Sequence, residues 1–164
     1  MPKVLTPQAL TRQAFQPYGE VVEVTPDLEP ELINEGHTQK FGELAKIHTE
    51  GSGGFPQVNI FRSNPKKNPI TIQVMECHPL GSQCFIPLSN KPYLVVVHEA
   101  GRFDPKAIAA FVATGKQGVN YSAGTWHHYL LALEEESDFL VIDRGGPGDI
   151  VAEIRLEQEI EIAA

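Results

Sequence analysis

The sequence predicts an all-β protein, mainly antiparallel, closed into a barrel or sandwich with one or two short helices. Three observations carry this expectation. Short runs rich in β-branched and aromatic residues recur between turns drawn from 14 glycines and 13 prolines, the pattern of strands joined by tight connections. The run from Tyr93 to Val97 is apolar without alternation, as expected of a central strand covered on both faces. Convincing helical periodicity is almost absent. At 164 residues the length fits one domain, 1–164, with a single sizeable core.

Val4 and Leu5 read as a first short strand. Thr11 can cap a short helix from Arg12 to Gln16, which Pro17 and Gly19 terminate. Extended chain resumes from Tyr18 to Val24, and Thr25 to Glu35, with two prolines and four acids, reads as a surface loop. Gly36 can take a positive φ at its end. Phe41 to His48 is weakly amphipathic, and the segment from Gly51 to Gly54 is a flexible connection. Val58, Ile60 and Arg62 share one face of the next strand, leaving Arg62 either in water at the sheet edge or at the mouth of a cavity. Strands are then expected over Ile70–Cys77, Gln83–Pro87, Tyr93–His98, Phe111–Ala113, the stretch after Trp126, and Phe139–Asp143. Asp104 before Pro105 caps a helical turn, Gly115 and Gly118 break the pattern, and Glu134 to Glu136 form a solvated tip. In the tail, apolar residues at 150, 154, 156, 160 and 162 alternate with acids, the period of a half-buried last strand.

Lys and Arg number 13 against 21 Asp and Glu, a formal charge of −8, which disfavours a nucleic-acid partner. Cys77 and Cys84 are the only cysteines and offer neither a paired metal-binding spacing nor a disulfide framework. No apolar run reaches membrane-spanning length, and the N-terminal stretch lacks the apolar core of a signal peptide. The expectation is a soluble, cytoplasmic protein with a small-molecule ligand.

The chemistry gathers in two segments. A turn at Ser122, Ala123 and Gly124 leads into Trp126, His127 and His128, and strand geometry sends the two imidazoles to opposite faces, one inward and one outward. About forty residues earlier, Glu76 and His78 share a face and Cys77 takes the other, with Gln83 beyond a turn. Glu76, His78, Gln83 and one of the later histidines can therefore converge inside a barrel. Such a set serves acid–base catalysis or holds a divalent metal ion, and the spacing alone does not choose.

The spacing of Glu76, His78 and Gln83 resembles the first motif of the cupins, where two histidines and a glutamate take those places; Ser122, Gly124 and His127 resemble the second and select His127 as the inward residue. A closer resemblance is to the ureidoglycolate lyase family, cupin-like enzymes of allantoin breakdown. It rests on Phe15-x-x-Tyr18-Gly19, Ile33-Asn34-x-Gly36, His78-Pro79-Leu80-Gly81-x-Gln83-x-Phe85-Ile86-Pro87, Gln117-Gly118-Val119-Asn120-Tyr121, Trp126-His127-His128 and Asp138-Phe139-Leu140-x-Ile142-Asp143-Arg144-Gly145-Gly146. The resemblance implies a double-stranded β-helix, a homodimer, and a carbon–nitrogen lyase that releases urea from ureidoglycolate and leaves glyoxylate. In that chemistry Glu76 or His127 is the expected base and His78 the acid. Gln83, Asn34, Arg62, Asn120 and Tyr121 are the expected substrate-binding residues, and Glu76, His78, Gln83 and His127 the set for a divalent metal ion if one takes part. The rival expectations are a non-catalytic small-molecule-binding cupin and another metal-dependent cupin enzyme.

Overall fold

The computed structural model describes residues 1–148 and 151–163; residue 150, part of the tail's expected alternation, lies outside the described residues. The chain begins with β1 (Lys3–Leu5), β2 (Gln8–Ala9), α1 (Arg12–Phe15) and β3 (Gly19–Val22). A hairpin follows, β4 (Glu31–Ile33) and β5 (Thr38–Lys40), and then β6 (Phe55–Ser63), β7 (Ile70–Cys77), β8 (Gln83–Pro87) and β9 (Tyr93–His98). The remainder is β10 (Ala109–Ala113), β11 (Gly118–Tyr121), β12 (Trp126–His127), β13 (Leu131–Ala132), β14 (Ser137–Gly145) and β15 (Ala152–Ile162). An eight-stranded sheet runs β1-β15-β7-β12-β9-β10-β2, with β13 also on β9, and a five-stranded sheet runs β3-β11-β8-β14-β6. Pairing is antiparallel except where β1 meets β15 and β2 meets β10. The sheets curl into a half-barrel, and the all-β, cupin-like expectation holds.

Two cores explain why β9 does not alternate. Tyr93, Val95 and Val97 point between the sheets and pack with Phe15, Phe85, Phe111, Phe139 and Val141. Leu94 and Val96 point the other way, into a second core with Ile72, Met75, Leu131 and Ile160 on the far face of the eight-stranded sheet. The strand is therefore sealed on both sides, and all six of its residues are buried. The short helix enters the first core through Phe15, which is 0% exposed and meets Phe111 edge to face at 5.7 Å. Burying one such ring contributes about 1.5–3 kcal/mol. Thr11 caps the helix as expected, its hydroxyl accepting from the Ala14 amide at 3.1 Å.

The expected strands over 70–77, 83–87 and 93–98 are present with those bounds. Other regions differ for identifiable reasons. The end of the expected loop at 25–35 pairs as β4 with β5, through a turn in which Asn34, Glu35 and Gly36 all have positive φ. Residues 41–48 form neither helix nor strand, and their polar groups bond across the chain: the Lys46 amide donates to Glu20, its carbonyl accepts from Asn120, and the His48 amide donates to Ser82. The glycines read as breakers fall at the break between β10 and β11: Gly115 lies in the turn and Gly118 opens β11, where a Cβ would lie 2.6 Å from Ile86 Cδ1 and 2.8 Å from the Phe85 carbonyl oxygen. The stretch after Trp126 divides into two brief pairings, β12 and β13, around residues 128–130.

Candidate active site

The site is built where β7 leaves the eight-stranded sheet and β8 enters the five-stranded one. Along β7, Ile70 and Ile72 face the second core, but so does Met75, so the alternation changes phase. The change coincides with a bulge in β15, whose register against β7 shifts between Arg155 and Ile160. Bulges re-aim side chains in this way, and here Glu76 is turned inward. In the register of β7 and β12, Glu76 stands directly opposite His127, the closest cross-strand relation a sheet provides. His78 follows just beyond the end of β7, where its carbonyl accepts from the Gly124 amide at 3.0 Å. One ligand atom from each of Glu76, His78 and His127 lies within 4.8 Å of the others.

Three rings stack through the site. His78 and His127 are 5.4 Å apart with planes 19° from parallel, and Tyr121 covers the other face of His127 at 4.5 Å and 13°. Tyr121 belongs to β11 and pairs in register with Gln83 at the start of β8, which pairs in turn with Asp143 of β14. Residues from both sheets thus close one mouth. The His127 Nδ1 lies 3.2 Å from the His128 carbonyl; a carbonyl only accepts, so Nδ1 carries the hydrogen and Nε2 presents a lone pair. Burial, with repulsion from His78 second, pulls the His127 pKa down to about 3, so the imidazole is neutral near neutral pH. Its 4.0 Å approach to Glu76 is therefore not an ion pair. Glu76 is shifted the other way: loss of water raises its pKa, His78 partly opposes this, and Glu153 across the strand adds to it. Burial also raises the Tyr121 hydroxyl, with Glu76 contributing, so it stays protonated.

Among the described residues, four of the eight buried side-chain polar atoms without a hydrogen-bond partner belong to this mouth, His78 Nε2, Gln83 Oε1, Tyr121 Oη and His127 Nε2, and two more, Arg144 Nε and Nη1, belong to a side chain on a cleft that His78 also lines. Buried polar groups are ordinarily paired, because an unmet donor or acceptor costs about 1–3 kcal/mol. Their concentration in one place marks a surface whose partners come from outside the chain. Two imidazoles and a carboxylate, with the Gln83 amide oxygen on the same face, are also donor types that fit a divalent transition-metal ion. A thiol nucleophile is not available, since both cysteines are buried and burial pushes Cys84 up to about 11.

Not every expected residue is brought to the mouth. Glu76, His78, Gln83, Tyr121 and His127 are. Asn120 is not: it neighbours Tyr121 on a strand and so points to the opposite face, donating to Glu20 at 2.8 Å and to the Lys46 carbonyl at 2.9 Å. Arg62 lies on the outer face of β6 in water, its Nε 2.7 Å from Asp138 and 3.6 Å from Glu136. Asn34 is exposed in the β4–β5 turn, bonded to Thr38. His128 does turn away from His127, but it is 3% exposed with Nδ1 on the Val74 carbonyl at 2.7 Å. The far face of its sheet carries a core of its own, so leaving the barrel does not mean entering water. The residues not singled out beforehand are Asp143 and Arg144, which line a cleft with His78, Gly81 and Ser82. The Arg-Gly-Gly run after an apolar strand was the available signal.

Comparisons with known proteins identify the family. Residues 2–163 match the family model described as ureidoglycolate lyase. The ureidoglycolate lyase of Burkholderia mallei is 49% identical over 158 residues, covering 96% of this chain and 92% of that one. That of Burkholderia cepacia is 48% identical over 155 residues, with 94% and 87% covered, and that of Rhizobium etli 46% over 157 residues, with 96% and 94%. With similarity of this depth along nearly its whole length, the chain belongs to the ureidoglycolate lyase family.

Proposed function

We propose that residues 1–164 form one catalytic domain that releases urea from ureidoglycolate and leaves glyoxylate. The observation that carries this reading is the cluster of Glu76, His78 and His127, with unpartnered imidazole nitrogens, in a chain of this family. Ureidoglycolate holds a hydroxyl, a carboxylate and a ureido nitrogen on one carbon. Its C–N bond breaks when a base takes the hydroxyl proton, the carbonyl forms from that O–H electron pair, and an acid protonates the departing nitrogen. In this reading Glu76 is the base, strengthened by the loss of water around it. His78 delivers the proton to nitrogen through Nε2, and His127 and Gln83 accept hydrogen bonds that orient the substrate. Proton transfers of this kind contribute roughly 10²–10⁴-fold each. A divalent metal ion held by Glu76, His78 and His127 would supply polarisation of the substrate's oxygens.

The test is to incubate the purified protein with ureidoglycolate, with and without a chelator, and to measure glyoxylate and urea separately. Both products in equal amounts are expected. Saturable binding without either product would support the non-catalytic reading instead. Activity that survives exhaustive chelation assigns the chemistry to the side chains alone, and activity restored only by added metal assigns the cluster to a metal site.

The reading includes a cytoplasmic homodimer. Val58 and Ile60 are 66% and 56% exposed, and cross-strand neighbours Leu140, Ile142 and Ile86 extend the same apolar outer face of the five-stranded sheet. A patch of that kind supports self-association. Sedimentation should give twice the chain mass of 18.0 kDa, and Ile60→Asp should give the single-chain mass. Two buried, unpaired cysteines suit a reducing compartment. Among the described residues no helix is long and apolar enough to cross a membrane.

A further inference from the structure

The Arg144 guanidinium is left without a task by the acid–base reading, and its surroundings are unusual. Arg144 is 4% exposed, yet among the described residues no carboxylate lies within ion-pairing distance of it. One nitrogen is held: Nη2 donates to the Gly51 carbonyl at 2.9 Å and to the Pro147 carbonyl at 2.7 Å. Nε and Nη1 are buried and have no acceptor. Two glycines make room for the side chain. A Cβ at Gly54 would lie 2.3 Å from Arg144 Nε and 2.8 Å from Cζ, and one at Gly81 would lie 2.7 Å from Arg144 Cβ. The chain has thus cleared space for a buried cation and anchored one of its nitrogens.

A buried charge with no counter-charge is costly, and a guanidinium is the side chain best matched to a carboxylate. Asp143, in the same cleft, is no counter-ion to it, because its oxygens are taken by the amides of Gln57 at 3.0 Å, Asn59 at 3.3 Å and Gln83 at 3.3 Å. His78 lines the cleft too, so the cleft reaches one of the groups assigned to the reaction. We propose that Arg144 binds the carboxylate of the substrate and is the residue that makes the site specific for an α-hydroxy acid over its neutral amide. This rests on the lyase reading for the identity of the substrate. With the carboxylate held at Arg144, the carbinol hydroxyl and the ureido nitrogen are left for Glu76 and His78.

The test uses two ligands that cannot react. Ureidoacetate has the substrate's skeleton without the hydroxyl, and ureidoacetamide also lacks the negative charge. Titrated calorimetrically into the wild-type protein, the acid should bind at least about 30-fold more tightly than the amide, the usual consequence of removing one partner of a buried charge pair. In Arg144→Met the two affinities should converge to within about threefold, and Arg144→Lys, which keeps the charge, should retain part of the preference. Wild-type protein that binds the acid no better than the amide, or fails to bind the acid, overturns the proposal even if Arg144→Met does not fold. So does an undiminished preference in Arg144→Met. An Arg144-dependent preference in a protein that releases no glyoxylate would sink the lyase reading and leave this one standing; glyoxylate release with no preference would do the reverse.

Discussion

The outer edge of the five-stranded sheet and the inner mouth handle charge in opposite ways. At the edge, Arg62 sits against Asp138 and Glu136, and Lys91 lies 2.9 Å from Glu135 and 3.7 Å from Glu134. Every one of these groups has a partner and water beside it. In the mouth and the cleft beside it, His78, Gln83, Tyr121, His127 and Arg144 carry buried polar atoms that nothing among the described residues meets. Exposed ion pairs contribute little and tolerate change, whereas unmet buried groups are retained only where something else gains. The contrast separates residues whose charges are met at the surface from those whose partners, in the proposed reading, come from the substrate.

Substitutions in the two regions should separate as sharply. His78→Asn should lower kcat for glyoxylate release by roughly 10²–10⁴-fold with little change in the melting temperature, since Nε2 of His78 holds no partner in the chain. A loss of activity that tracked a loss of folding would erase the distinction. Tyr121→Phe removes a hydroxyl that is buried and unpartnered; kcat/KM should fall by about 3–10-fold, the worth of one hydrogen bond, while thermal stability does not fall. A variant that is less stable but fully active would place that hydroxyl in the fold and outside the site.

The pH dependence of stability tests the interior more gently. The pKa of His127 is pulled down from 6.5 to about 3 and that of His128 to about 4, in both cases chiefly by burial. Between those values and 6.5 the unfolded chain binds the protons that the folded chain refuses, so stability must fall as pH falls through that window. Glu76, raised by burial, binds its proton more readily when folded and opposes part of the loss. Melting temperatures measured from pH 8 down to pH 4.5 should decline, and His128→Asn should flatten the decline. A flat profile in the parent protein would mean that the two rings are not buried as described. The smallest effect is expected at the edge: Arg62→Ala should leave glyoxylate release within about twofold, and a larger loss would return Arg62 to the substrate.

Much of this arrangement was legible in the residues. The unbroken apolar run of β9 and the shared face of Glu76 and His78 follow from strand period, which also sends one of the two later imidazoles inward; the cupin resemblance is what selects His127. Other features depend on contacts the pattern does not carry. Alternation assigned His128 outward but could not reveal the second core that covers it. Gly118 does follow a break between strands, but the sequence could not show that Ile86 packs against it. Arg144 was obscured because a long side chain at a strand end can go either way, and the deciding glycines, Gly54 and Gly81, are distant in sequence. Arg62 drew attention instead because a cation was needed and it stood on a strand.

The central claim, that Glu76 reacts with substrate in the company of two histidines, is tested most directly by Glu76→Gln. The variant keeps the shape of the side chain and removes its capacity to take a proton. Glyoxylate release under saturating ureidoglycolate should drop by at least roughly 100-fold, with the folded state intact by circular dichroism. Turnover at the wild-type rate would contradict the account.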